Sequence, residues 1–201
     1  FKKDTGTLWT GNVLTGGTQE DILPLVLSAS KAWSRKQKSG ADVGSLVHQA
    51  IEQYVLGKPI ELTLEVYREG QETITPEWEN TAAAELAMAQ LAYGRFVGWW
   101  EETKPRLLNA EQVVYSKKYN ICGAYDALLE IDGKIIVEDH KTTNASVSAG
   151  APEGVYYSAF IQSAIYAMCL LEMKAVERID DLMIVSARKD GQFNAIRASE
   201  S

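Results

Sequence analysis

The dipeptide Asp132-Gly133 lies between two strand-like runs, Asn120 to Ile131 and Lys134 to Lys141. A two-residue type I′ turn needs positive φ at both central positions, and Asp-Gly is one of the few pairs that tolerates this. The dipeptide therefore predicts a hairpin in which Ile131 pairs with Lys134. Stepping outward from that turn, Asp126 faces Asp139 and Ala124 faces Lys141. Directly opposite residues share a face of the sheet, with Cβ atoms roughly 4.5–5.5 Å apart, and Lys141 joins them because it lies two residues beyond Asp139. Glu138 and His140 point the other way, so His140 is not counted as catalytic. Two facing carboxylates repel, and a divalent cation that favours oxygen ligands, Mg²⁺ or Mn²⁺, would neutralise them.

An acidic-x-Lys tripeptide alone carries no weight, since the chain has four: Glu102-Thr103-Lys104, Asp132-Gly133-Lys134, Asp139-His140-Lys141 and Glu172-Met173-Lys174. The first and last fall in or at the ends of expected helices, and the second is the turn. Only Asp139-His140-Lys141 lies on a strand with an aspartate facing it. The hairpin alone fits a metal site and a surface Asp–Lys pair equally well.

The rest of the chain supplies the surroundings of that hairpin. Residues 6 to 18 read as a short hairpin or loop, and Ile22 to Trp33 as a helix. Val43 to Val55 carries a stripe at helical spacing (Val43, Leu46, Val47, Ala50, Ile51, Tyr54, Val55), stopped by Gly57 and Pro59. Ile60 to Thr75 alternates like a strand at Leu62, Leu64 and Val66. Thr75-Pro76 signals a helix start, and an Ala-rich helix then runs to Trp100, ended by Lys104 and Pro105. Strands are expected at Gln112 to Ser116, Asp181 to Arg188 and Gln192 to Arg197, the last two joined at Asp190-Gly191, with a helix over Val155 to Leu171. Helices followed by three strands, a helix and two strands predict an α/β fold with helices on both faces of a mixed sheet.

The 201 residues suit one domain with a real core. Residues 1–105 form a mainly helical portion and residues 106–201 a β-rich one. The net charge of −7 argues against a broad nucleic-acid-coating surface, but carboxylates that hold cations add negative charge themselves. Lys117, Lys118, Lys134, Arg188 and Lys189 are the basic residues expected near the site. Two cysteines, Cys122 and Cys169, are too few for a disulfide framework or a metal cluster. No apolar run has membrane-helix length and no secretory signal is visible, so a cytoplasmic setting is expected. The chain begins at Phe1, from which a natural start further upstream is expected.

His48 lies at the edge of its helix's apolar stripe, where a lone histidine is more often a half-buried packing residue than a ligand. Glu52, one turn on, is expected nearer the surface. Gln162 and Tyr166, four residues apart, share a helix face, a spacing that ordinary packing also explains. The tryptophans (Trp9, Trp33, Trp78, Trp99, Trp100) could stack on bases but read as packing residues.

Gly123-Ala124-Tyr125-Asp126 followed by Glu138-Asp139-His140-Lys141-Thr142 resembles the GxxD…(D/E)xKT core of PD-(D/E)xK nucleases. Gly44 to His48 resembles the GxxxH helix of the RecB-like and phage exonuclease branch, and Gln162 with Tyr166 its QxxxY motif. The resemblance covers residues 44 to 166 and implies a restriction-endonuclease-like, three-layer α/β/α core with a central mixed sheet and an added helical N-terminal portion. It implies a metal-dependent DNA phosphodiester hydrolase, an exonuclease of recombination, repair or phage DNA processing; the alternative is a catalytically silent DNA-binding or scaffold module of the same fold. Asp126, Asp139 and Lys141 would be catalytic. His48, Asp126, Asp139 and, at the start of the first strand, Glu111 would hold Mg²⁺ or Mn²⁺, and Gln162 and Tyr166 would orient substrate or the lysine. No iron–sulfur cluster is expected, because the cysteines such a cluster needs are absent. DNA is the implied partner, together with a recombination or single-strand-annealing protein, and self-association is compatible with the resemblance.

Overall fold

A computed structural model of the protein describes residues 43–69, 74, 76–142, 155–188 and 190–200. The readings for residues 6–18, Ile22–Trp33 and the Thr75 cap lie outside these. The elements are α1 (Val43–Val55), α2 (Leu64–Glu69), α3 (Pro76–Thr103), β1 (Arg106–Ser116), β2 (Ile121–Ile131), β3 (Lys134–Lys141), α4 (Tyr157–Glu172), β4 (Asp181–Ala187) and β5 (Phe193–Arg197), ending in a 3₁₀ turn, Ala198–Glu200. The five strands lie in sequence order in one sheet. β3 and β4 are parallel and the other neighbours antiparallel, so the sheet is mixed. A parallel neighbour needs a crossover, and α4 makes it.

Two apolar layers separate the sheet from its helices. Leu46, Ile51, Ala89 and Phe96 of α1 and α3 pack on Ala127, Leu129, Ile136, Met183 and Val185. On the opposite face, Tyr166, Ala167, Cys169 and Leu170 of α4 pack on Val114, Tyr125, Leu128 and Val137. The architecture is α/β/α, as the order of elements implied. Among the described residues no helix is long and apolar enough to cross a membrane.

The Asp132-Gly133 turn forms as expected, with φ of 52° and 76°, and Ile131 pairs with Lys134. Helix α3 ends at Thr103, where Lys104 takes a left-handed φ of 48° ahead of Pro105.

The strand-like reading of Ile60 to Thr75 is corrected, because Leu64–Glu69 is helical. Leu62 is buried and Leu64 is 46% exposed, so the apparent alternation does not mark one face. The backbone amide of Val66 donates to Thr63 Oγ1 at 3.2 Å, a side-chain cap of the kind that starts helices. Tyr67 supplies the buried contact, its hydroxyl donating to Glu85 at 2.8 Å. Strand β1 begins at Arg106, earlier than the expected Gln112. Its first half escapes pattern reading because its register slips between Leu107 and Asn109.

Candidate functional site

Strands β2 and β3 pair from the turn out to Ala127 opposite Glu138. Beyond that point they part: Ile121 to Tyr125 pair with β1, and Asp139 to Lys141 pair with β4. Where Asp126 and Asp139 would continue the ladder, the Asp126 carboxylate instead accepts the backbone amide of His140 at 2.6 Å. On the other flank of β2, Glu111 lies between the pairs Ala110–Ala127 and Gln112–Tyr125 without a pairing of its own, and its φ is 55°. A left-handed non-glycine residue costs on the order of 1–3 kcal/mol, and such strain concentrates at functional positions.

This irregularity turns the strand over. Residues two apart on a regular strand share a face, yet Tyr125 packs against α4 while Ala127 packs against the α1 and α3 layer. Asp126, at the changeover, therefore sits at the mouth of the parted strands, with groups from both faces within reach.

On the α4 side, the Lys141 ammonium pairs with Asp139 Oδ2 and donates to Gln162 Oε1 at 3.1 Å. Gln162 Nε2 in turn donates to the Tyr166 hydroxyl. The Tyr166 ring lies over Gly123, where any Cβ would come within 2.5 Å of Tyr166 Cε1. The glycine three residues before Asp126 is thus required by this close approach.

On the side of α1 and α3, His48 Nε2 stands 3.6 Å from Asp126 Oδ2. The His48 ring meets His140 edge-on at 5.5 Å between centroids. His48, Asp126 and His140 offer donor atoms that all lie within 4.8 Å of one another, a grouping able to hold a divalent cation. His140 Nε2 is 2.8 Å from Glu138 Oε1, both side chains being buried. The sequence reading put Glu138 and His140 on the opposite face from Asp139 and left His140 out of the site; the structure places the His140 ring beside His48 and Asp126. The strand reversal at Asp126 brings the two faces together, which strict alternation could not foresee. A signal was present: two titratable side chains two residues apart on the core-facing side of a strand are unusual enough to need a reason.

The charges carry the mark of crowded carboxylates. Burial, followed by the nearby Asp126 and Glu52, pushes Glu111 up to about 8. Burial and Asp126 raise Asp139 despite Lys141, and burial raises Glu138. Burial also raises Asp126, but its contact with His48 and the charge of His140 outweigh this and hold it down at about 2. For His140, burial works against the charged form, yet Glu138, Asp126 and Asp139 prevail and hold it up at about 9. Both carboxylate oxygens of Glu111, Glu138 Oε2 and His140 Nδ1 are buried without a hydrogen bond or an ion-pair partner. Buried polar atoms without hydrogen bonds are rare and call for an explanation. A donor set of carboxylates and imidazoles fits a divalent cation.

Of the other sequence candidates, Glu52 is half-buried and bears on Glu111. Lys134 lies at the turn, the far end of β3 from Lys141, and Arg188 is buried and paired with Asp190. Lys117 and Lys118 are exposed in the β1–β2 turn, and Lys189 lies outside the described residues. Trp99 and Trp100 pack around Phe96; the side chains of Trp9, Trp33 and Trp78 lie outside the described set.

The family model described as the PD-(D/E)XK nuclease superfamily matches residues 25–193. No curated protein matches the sequence significantly. Among solved structures, a protein of Eubacterium rectale provisionally described as an exonuclease is similar at 12% identity and a TM-score of 0.49, over 85% of this chain and 64% of that one. The chain thus spans less than two thirds of that relative. The protein SSO0001 is similar at 14% identity and a TM-score of 0.28, over 76% of this chain and 74% of that one.

Proposed function

The chain belongs to the PD-(D/E)XK nuclease superfamily, and on that footing we propose that it is a single-domain, Mg²⁺- or Mn²⁺-dependent deoxyribonuclease, an exonuclease of the RecB-like and phage type. The observation that carries this reading is the parting of β2 and β3 at Asp126, with the Asp139–Lys141 pair on one side and His48 on the other. Asp126 and Asp139 would hold the cation, with His48 completing its shell and Glu111 adding a buried carboxylate beside them. When bound, a divalent cation supplies Lewis acidity toward the scissile phosphate.

The chain's own residues do the rest. Lys141 directs a positive, hydrogen-bonding group toward a phosphate oxygen or an attacking water, a contact that strengthens as charge develops in the transition state. Asp139 pairs with it on its own strand, and Gln162, tied to Tyr166, positions it from α4. DNA is then the substrate, in recombination, repair or phage DNA processing, with a recombination or single-strand-annealing protein as the associated partner. The test is degradation of end-labelled linear and of circular DNA with Mg²⁺, with Mn²⁺ and with chelator. Metal-dependent loss of the linear form alone is expected. Cleavage undiminished by chelator overturns the assignment, and cutting of circles overturns the exonuclease reading.

A further inference from the structure

The α1 and α3 side of the site is built differently from the α4 side. On the α4 side, Asp139 meets the Lys141 ammonium, which the Gln162 amide oxygen holds in turn. On the α1 and α3 side, two imidazoles meet edge-on beside Asp126, and behind His140 stands Glu138, only 1% exposed. The Glu138–His140 ion pair joins Oε1 to Nε2 and leaves Glu138 Oε2 and His140 Nδ1 buried without a partner. A buried pair with unsatisfied lone pairs is a poor source of stability, since desolvation offsets the attraction. The same pair has a clear use beside a cation. Metal-binding histidines regularly direct one ring nitrogen at a carboxylate, which fixes the ring and raises the basicity of the other nitrogen. Glu138 engages Nε2 of His140 in this way and leaves Nδ1 for a ligand.

We propose that the cation of this site is bound through both His48 and His140 together with Asp126, with Glu138 orienting His140. Such a site favours nitrogen-accepting cations such as Mn²⁺ and Co²⁺ over Mg²⁺ and Ca²⁺. Mg²⁺ and Ca²⁺ take oxygen ligands, and Mg²⁺ demands near-octahedral oxygen geometry. Imidazole suits the later first-row ions, whose affinity for nitrogen sites rises from Mn²⁺ to Co²⁺ and beyond. The inference rests on the reading of this cluster as the nuclease's cation site and adds to it the His140 ring, the role of Glu138 and the choice of metal.

The test uses the full chain as wild type, His140→Phe and Glu138→Gln. Binding of Co²⁺ and of Mg²⁺ is measured by calorimetry, and the nitrogens coupled to bound Mn²⁺ are counted by pulsed EPR. Two imidazole nitrogens are expected in the wild type and one in His140→Phe, with the Co²⁺-over-Mg²⁺ preference reduced at least about tenfold in that variant. Glu138→Gln keeps the volume and should weaken Co²⁺ binding by about 10–100-fold, the usual effect of losing a carboxylate behind a ligating histidine. A single nitrogen in the wild type, or an unchanged preference in a folded His140→Phe, overturns this inference while leaving the nuclease reading in place. If His140→Phe does not fold, the wild-type nitrogen count and Glu138→Gln decide. A wild type that binds no divalent cation overturns both readings at once.

Discussion

Lys141 donates a hydrogen bond to Gln162 Oε1 at 3.1 Å, so the last residue of β3 is tied to the crossover helix that follows it. Gln162 is anchored to Tyr166, and Tyr166 lies against Gly123 at the start of β2. The lysine is thus held from its own strand by Asp139 and from α4 by Gln162, whose anchor Tyr166 rests on β2. A lysine that served only to solvate the surface would not need such support.

Lys141→Ala should lower turnover at least about a hundredfold, the lower end of what a positioned acid–base group contributes. DNA affinity should fall far less, because the contact is made mainly in the transition state. Lys134→Ala, at the far turn, is the matched control and should change little, within about half a kcal/mol of stability. Single-turnover cleavage and DNA binding by the two variants decide between them; near-normal cleavage by Lys141→Ala would mean the wrong lysine or the wrong chemistry.

Gly123→Ala places a Cβ 2.5 Å from Tyr166 Cε1. Overpacking of this kind costs about 1–3 kcal/mol, and the ring must move, taking Gln162 and the support of Lys141 with it. Lower thermal stability and a reduced turnover number in the folded protein are both expected. Tyr166→Phe, which keeps the ring and removes only the hydroxyl, should show a milder rate loss with little loss of stability.

His48→Ala should weaken cation binding while leaving the fold largely intact. Its side chain is 25% exposed, and α1 is held by Leu46, Val47, Ala50, Ile51 and Val55. Circular dichroism beside calorimetric titration with Mn²⁺ checks this. A variant that unfolds, with unchanged affinity per folded molecule, would make His48 a packing residue.

Cation binding should tighten as pH rises. Glu111, near 8, and His140, near 9, hold their protons at neutral pH in the cation-free protein, and a bound cation must displace them. Affinity should climb about tenfold per pH unit for each proton displaced, levelling off above about 9. The cation-free fold shows the opposite trend. Both groups have folded values above their ordinary ones, so the stability they contribute is complete below their unfolded values. It is lost as pH rises, through about 8 for Glu111 and about 9 for His140. Thermal melts without metal should therefore fall from pH 6 to pH 9, and a flat profile would contradict the charge arrangement.

Local chemistry written in the chain settles much of this protein. Asp132-Gly133 dictates the hairpin and its register, because few dipeptides accept positive φ twice. The apolar stripe of Val43–Val55 dictates which side of α1 is buried and leaves His48 at the edge. The spacing of Gln162 and Tyr166 puts them on one helix face. These are matters of short-range sterics and periodicity, and the structure repeats them, the hairpin register as far as Ala127 opposite Glu138. The meeting of His140 with His48 and Asp126 is of another kind. It depends on Glu111 adopting a left-handed backbone, on β2 changing faces between Tyr125 and Ala127, and on β3 parting from β2 beyond Glu138 while it stays paired with β4. Each of these depends on packing between segments distant in the chain. A period-two rule assumes that a strand keeps its faces, so it put Asp126 on one side and His140 on the other. Long-range pairing broke that alternation at a single residue and made one site of the two faces.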